Sequence, residues 1–295
     1  MSAVKIFLKP VVQPILKPLA KVRAKQGLTE LRAQGAPACI QIADAIEQAM
    51  DGALTAEERD WVTRIEDKRR QLNDSREPIH QIDFGAGKDG NSRTSKEMAH
   101  GVMVESSIGR VSSSLSKPYF WSVLLFKLVR QFQPEVALEL GTAVGISAAY
   151  QSAAQKLNGH GRTISLEGNQ SFADLAAGNL DELGLDNVKI ICGRFADTLS
   201  TVSKQEKPLS YMFIDGHHDE VATVEYFETI IPSLAAKSLV IFDDISWSDG
   251  MRRAWQRVTE HDQCSVSVDL VTLGLCVVDS AIDGRNTFQF PLRYM

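Results

Sequence analysis

After Pro134 the chain alternates short apolar runs with helix-length stretches, and each of the first five runs is followed at once by a glycine or an acid. Val136–Leu140, Thr163–Leu166, Val188–Cys192, Tyr211–Ile214 and Leu239–Phe242 have strand length, and Ile146–Leu157, Ser171–Leu183 and Val221–Leu234 carry helical patterning. Strands joined through helices run parallel and are buried on both faces, which explains why the runs are continuously apolar rather than alternating. After a further helix, Gly250–Glu260, the runs Ser265–Leu270 and Leu275–Asp279 lie too close together to enclose a crossover helix, so they close as an antiparallel pair. The pattern predicts an α/β, doubly wound, mostly parallel seven-stranded sheet with an antiparallel last strand.

The chain before Pro134 has another texture. Residues 28–80 read as helical, with a capping box at Thr55-Ala-Glu-Glu58. From His80 to about Ser114 the sequence is rich in glycine, serine and charge, the texture of a long irregular lid in which Arg93 and Arg110 would be available to an acidic group. Ser116 is expected to cap an apolar helix over Pro118–Phe132. We divide the chain into a basic arm (1–27), a helical extension and lid (28–115) and the α/β domain (116–295).

Charge narrows the partners. With 32 lysines and arginines against 37 acids the net charge is −5, so the chain has no general excess of positive charge for nucleic-acid phosphates. Six basic residues and no acid fall within 1–29, where Pro10, Pro14 and Pro18 would break a continuous helix. That arm is either a frayed end or a weak contact with an anionic membrane surface or acidic partner. No apolar run has spanning length, and Lys9 and the prolines spoil a secretory core. Cys39, Cys192, Cys264 and Cys276 show no CxxC spacing, and the expectation is a cytoplasmic protein with reduced thiols. A homo-oligomer is compatible with all of this.

Ligands of such sheets bind at the carboxyl ends of the strands. The first strand ends Glu139-Leu-Gly141-Thr-Ala-Val-Gly145, the second at Glu167, the third at Gly193-Arg194-Phe195, the fourth at Asp215-Gly216-His217-His218, and the fifth at Asp243-Asp244. Gly141 permits a tight turn, and Gly145 a close approach of the backbone to a ligand. An acid two positions before the first glycine would repel a pyrophosphate and suits a cationic amino-acid ligand instead. Asp83-Phe-Gly-Ala-Gly87 imitates the acid-glycine loop, but no buried strand precedes it.

The stretch 139–148, ELGTAVGISA, together with the ordered strand ends and the reversed last strand, resembles the class I S-adenosylmethionine-dependent methyltransferases. It is most similar to the small-molecule O-methyltransferases of the catechol type and to a bacterial group with an Asp-Gly-x-His motif and an acidic pair. The resemblance covers residues ~116–280. It implies that Glu139, Gly141 and Ser147 hold the methionine part of the cofactor with Gly145 also in the cofactor site, that Glu167 takes the ribose hydroxyls, that Phe195 flanks the adenine, and that Asp215 lies on the cofactor side. Glu139 capping the next helix, and Phe195 as core, are the alternatives.

Asp215, Asp243 and Asp244 bring three carboxylates to one edge, and a hard cation such as Mg²⁺ would relieve their repulsion. The alternative is that Asp215 takes backbone amides while the pair caps a helix. His218, at the motif's histidine position, and less so His217, could accept the proton of an acceptor hydroxyl. The expected function is Mg²⁺-assisted methyl transfer to a small hydroxylated metabolite. The alternatives are a metal-independent N- or O-methyltransferase using His218 as base, and a cofactor-binding regulatory or scaffold protein.

Overall fold

The computed structural model describes residues 22–83, 102–290 and 292. The expectations for residues 1–21, for the glycines of Asp83–Gly87 and for Arg93 therefore lie outside the described residues. The arm's last residues, from 22 on, already belong to helix α1 (22–33), and Ala24 in it is buried. Helices α2 (Pro37–Asp51) and α3 (Ala56–Asp74) follow. The Thr55 capping box forms as expected: Glu58 N donates to Thr55 Oγ1 at 3.2 Å, and Thr55 N to Glu58 Oε2 at 2.9 Å.

The stretch expected to be irregular has strands at both ends. Strands β1 (Pro78–Asp83) and β2 (Val102–Ser107) pair antiparallel along their full length. Helix α4 (Ile108–Leu115) comes next, then α5 (Tyr119–Phe132). Pro118, not Ser116, holds the N-cap position of α5 and makes no side-chain cap bond, while the buried Ser116 hydroxyl has no partner. Proline there is tolerated because the amide it lacks would have no helical partner anyway.

The α/β half runs β3 (Val136–Leu140), α6 (Ile146–Asn158), β4 (Arg162–Glu167), α7 (Gln170–Glu182) and β5 (Val188–Cys192). It continues with α8 (Phe195–Gln205), β6 (Leu209–Ile214), α9 (Glu220–Ile230), β7 (Leu234–Phe242) and α10 (Asp249–Glu260), and ends in β8 (Val266–Asp269), β9 (Gly274–Asp279) and β10 (Asn286–Gln289). The sheet has eight strands, one more than expected, in the order β10-β8-β9-β7-β6-β3-β4-β5. Only β9 is reversed: it is antiparallel to both β7 and β8, and β10 adds to β8 in parallel. β10 escaped the sequence because its burial alternates between half-buried and exposed residues, so it carries no apolar run.

Side chains alternate between two cores. Ala137, Tyr211, Phe213, Leu239 and Ile241 face the side shared with α1–α3, α5 and α6, whereas Leu138, Leu140, Met212, Ile214, Val240 and Phe242 face α8–α10. The N-terminal helices thus share one core with the α/β half. Polar ties reinforce the join: buried Lys127 of α5 donates to Glu58 Oε2 of α3 at 2.6 Å, and Tyr150 Oη of α6 donates to Glu66 Oε1 at 2.8 Å. Among the described residues no helix is long and apolar enough to cross a membrane.

Candidate active site

Register builds the site. Leu140, Ile214 and Phe242 sit side by side across β3, β6 and β7. The next residues, Gly141, Asp215 and Asp243, therefore meet at the carboxyl edge, where Asp215 N donates to Leu140 O and Asp243 N to Ile214 O, both at 2.9 Å. With a period of two, Glu139, Asp215 and Asp243 continue the face that looks towards the N-terminal helices, and Asp244 has the opposite parity.

On one side of this edge lies the glycine loop. Gly141 has φ +98°, and a Cβ on it would come within 2.0 Å of Asp215 O. The close approach it permits is thus to the neighbouring strand. Gly145 (φ +87°) caps α6, and a Cβ there would lie 3.1 Å from Ala176 Cβ of α7, so what it admits is a helix rather than a ligand. Glu139 is fully buried beneath the loop, where Gln151 Nε2 donates to Oε1 at 2.8 Å and Ser165 Oγ to Oε2 at 2.5 Å. Burial pushes its carboxyl up to about 7 against the pull of Ser165, Ser147 and Gln151, so buried Ser147 joins Glu139 from the first turn of α6.

Glu167 ends β4 with its carboxylate turned back onto the same loop. Oε2 accepts from Thr142 N at 3.1 Å and Ala143 N at 2.9 Å, and Oε1 from Asn169 N at 2.9 Å. Burial raises its pKa, and these amides together with that of Gly168 oppose the rise. A carboxylate has about four acceptor positions. A diol placed here would take over a position now filled by an amide.

On the other side of the edge the structure gathers Asp215, His218 and Asp243, one donor atom from each lying within 4.8 Å of the others. Asp244 falls outside this set. Its left-handed backbone (φ +51°) and its parity carry its carboxylate to 4.0 Å from His218 Nε2, on the wall of a cleft of about 390 Å³ formed with Ser113–Pro118, Trp121 and Thr272. Burial raises the pKa of Asp215, Asp243 and Asp244 alike, with Asp243 pushed up to about 7. Asp243 Oδ1 is buried without a partner.

The residue that sequence reasoning missed is Lys117. Its ammonium bonds Asp243 Oδ2 and lies 3.3 Å from Asp215 Oδ1. Burial disfavours its charge, but Asp215, Asp243 and Asp244 outweigh burial and hold the pKa above the ordinary lysine value. Nothing in a Ser-Lys-Pro tripeptide distinguishes this lysine from a surface one. Only the face parity of Asp215 and Asp243, which points them towards the N-terminal helices, hinted at where a counter-charge had to come from.

His217 and His218 follow Asp215 with φ +72° and +38°. Of six described non-glycine residues with positive φ, Ala143, His217, His218 and Asp244 all stand at this edge, and strained backbone of this kind concentrates at functional sites. The two rings diverge. His217 Nδ1 bonds Tyr226 Oη at 2.9 Å, and burial lowers its pKa. His218 turns to the acids, with Nε2 3.6 Å from Asp215 Oδ1. Phe195 opens α8, packs edge-on against Tyr226 at 5.7 Å, and covers Gly216 so closely that a Cβ there would lie 2.4 Å from its ring. Trp247 is 65% exposed and belongs to no core, and Arg110 is exposed on α4.

Residues 138–245 match a protein family described as a methyltransferase domain. Over these residues, little more than a third of its length, the chain is similar to a methyltransferase domain. A catechol O-methyltransferase of Niastella koreensis is 32% identical over 120 residues, 40% of this chain, and the match spans about half (52%) of that relative's length. Among solved structures, a candidate O-methyltransferase from Klebsiella pneumoniae aligns over 57% of this chain and 83% of its own at 19% identity, with a TM-score of 0.50. A candidate caffeoyl-CoA O-methyltransferase from Staphylococcus aureus aligns over 57% and 88% at 18% identity, also with 0.50. At these identities the two structures bear on the fold alone.

The donor sets can be tested against both expected groups. Three acids (Asp215, Asp243 and Asp244) face one lysine at this edge, and Asp243 Oδ1 is a buried acceptor without a partner, an excess of negative charge that fits a ligand carrying a sulfonium and an ammonium. The fit to a resident Mg²⁺ is poor. Mg²⁺ wants an octahedron of oxygens, whereas the converging set has one imidazole among its three members and an ammonium already on its two carboxylates.

Proposed function

We propose that this chain transfers a methyl group from S-adenosylmethionine to a hydroxyl of a small molecule. The observation that carries the reading is the pairing, on one sheet edge, of the glycine loop bound by Glu167 with the Asp215–His218–Asp243 cluster. Bound there, the cofactor would supply an electrophilic methyl on a sulfonium. Glu139, Gly141 and Ser147 would shape the methionine end, Glu167 would take the ribose hydroxyls, and Phe195 would stand at the adenine side.

The remaining work falls to the chain's own groups. His218 Nε2 would accept the acceptor's hydroxyl proton, with Asp215 and Asp244 at 3.6 and 4.0 Å offering negative charge to the cation that forms. Exposed Trp247, Tyr119 and Leu115 supply apolar surface near the cleft for the acceptor's body. An acceptor with one ionisable hydroxyl on an apolar or aromatic frame suits this arrangement.

Calorimetry with S-adenosylmethionine, followed by mass spectrometry over a panel of hydroxylated acceptors, tests the reading. Glu167→Ala should weaken cofactor binding by about 1.5–3 kcal/mol, the range for hydrogen bonds to a charged group. Equal affinity in a folded Glu167→Ala protein would remove Glu167 from the cofactor site, and no binding by the unaltered chain would overturn the function itself.

A further inference from the structure

We propose that Lys117 is the resident cation of this edge: its ammonium occupies the position between Asp215 and Asp243 that a divalent ion would need, so the site is charge-compensated from within and holds no metal of its own. The inference deepens the methyl-transfer reading of the same edge, but it stands on different contacts.

Three observations build it. Lys117 Nζ bonds Asp243 Oδ2 and reaches Asp215 Oδ1 at 3.3 Å, with both carboxylates and the lysine largely shielded from water. The lysine is also presented deliberately. Its carbonyl accepts from Arg69 Nη1 at 2.5 Å and from Ser122 Oγ at 3.1 Å, and Arg69 is itself held by Glu66 Oε1 at 2.8 Å. Helix α3 and the first turn of α5 therefore fix the peptide from which the ammonium projects. Finally, the site's third ligating atom is the His218 nitrogen, whereas Asp244, the oxygen donor expected to complete a hard-ion site, lies towards the cleft.

An ammonium and a divalent ion cannot share two carboxylates at these separations without strong repulsion in a water-poor site. Lys117 also links the two halves of the chain. It comes from the segment joining α4 to α5 and bonds the ends of β6 and β7, so the N-terminal helices supply a charge that the α/β sheet lacks.

Mn²⁺ binding, followed by electron paramagnetic resonance on the full chain, tests this without reference to cofactor or turnover. The unaltered protein and Lys117→Arg should leave Mn²⁺ free in solution. Lys117→Met should bind it about a hundredfold tighter or more, as expected when one like charge a few ångströms away is removed. Mn²⁺ should then raise the melting temperature of Lys117→Met and leave that of the unaltered protein unchanged, a readout that survives partial destabilisation of the variant. If Lys117→Met does not fold, Lys117→Gln takes its place. Stoichiometric Mn²⁺ binding by the unaltered protein that is lost in Asp243→Asn would overturn the proposal, as would failure of every folded Lys117 variant to bind. A protein that binds no S-adenosylmethionine yet follows this metal pattern would refute the function and keep the inference.

Discussion

Two groups of buried acids stand a few residues apart on one sheet edge, and the protein satisfies them in opposite ways. Glu139 and Glu167 are surrounded by neutral donors: Ser165, Gln151 and the amides of Thr142, Ala143 and Asn169. Asp215 and Asp243 are met by an ammonium from another part of the chain. Neutral donors satisfy lone pairs but leave the charge uncompensated, so burial wins and Glu139 rises to about 7. On that side the acids also hold the glycine loop in place. An ammonium compensates part of the charge, yet burial still raises Asp215 and pushes Asp243 up to about 7, and Asp243 Oδ1 is left without a hydrogen-bond partner, so that side is the one left incomplete.

The comparison breaks most easily at Lys117. Lys117→Met should cost about 3–5 kcal/mol in urea unfolding, because removing one partner strands buried carboxylates. Adding Asp243→Asn should recover a large part of that loss, since the charge to be compensated is then smaller. A single-variant cost below about 1 kcal/mol would class the contact with surface ion pairs and erase the contrast.

Glu139→Gln probes the neutral side. The unfolded carboxyl titrates near 4.5 and the folded one near 7, so between these values the folded state holds a proton that the unfolded state lacks. Stability from this group is therefore present at low pH and falls as pH rises through that window, by on the order of 3 kcal/mol in all. Glutamine has no such slope, and Ser165 can turn its hydroxyl to accept from the new amide. The variant should gain on the unaltered protein between pH 5 and pH 8; a difference that does not change with pH would show that Glu139 ionises normally.

The smallest effect is expected at His217, which bonds Tyr226 away from the acids. His217→Phe should cost roughly 0.5–1.5 kcal/mol in unfolding free energy, the worth of one ordinary hydrogen bond. A larger cost, or a change in Mn²⁺ behaviour, would place His217 in the cluster with His218.

The sheet was legible because its strands are apolar on both faces and its helices keep their period, and these are local properties of the chain. Val136–Leu140 and Val188–Cys192 appear with the bounds expected, and the acids at the strand ends follow from where each apolar run stops. Helix α8 was not expected between β5 and β6, β10 lacked an apolar run, and the β1–β2 pair lay hidden in a polar stretch. In each case tertiary neighbours supply the order that local pattern does not. The same division runs through the site. Sequence alone determined that Glu139, Glu167, Asp215, Asp243 and two histidines would gather at one edge, because strand parity and register follow from residue order. Only the tertiary structure decided that Asp244 turns towards the cleft and that Lys117, 126 residues away along the chain, meets Asp243. A buried charge must be compensated, but which distant residue compensates it depends on how two halves of a chain dock, and no local pattern records that.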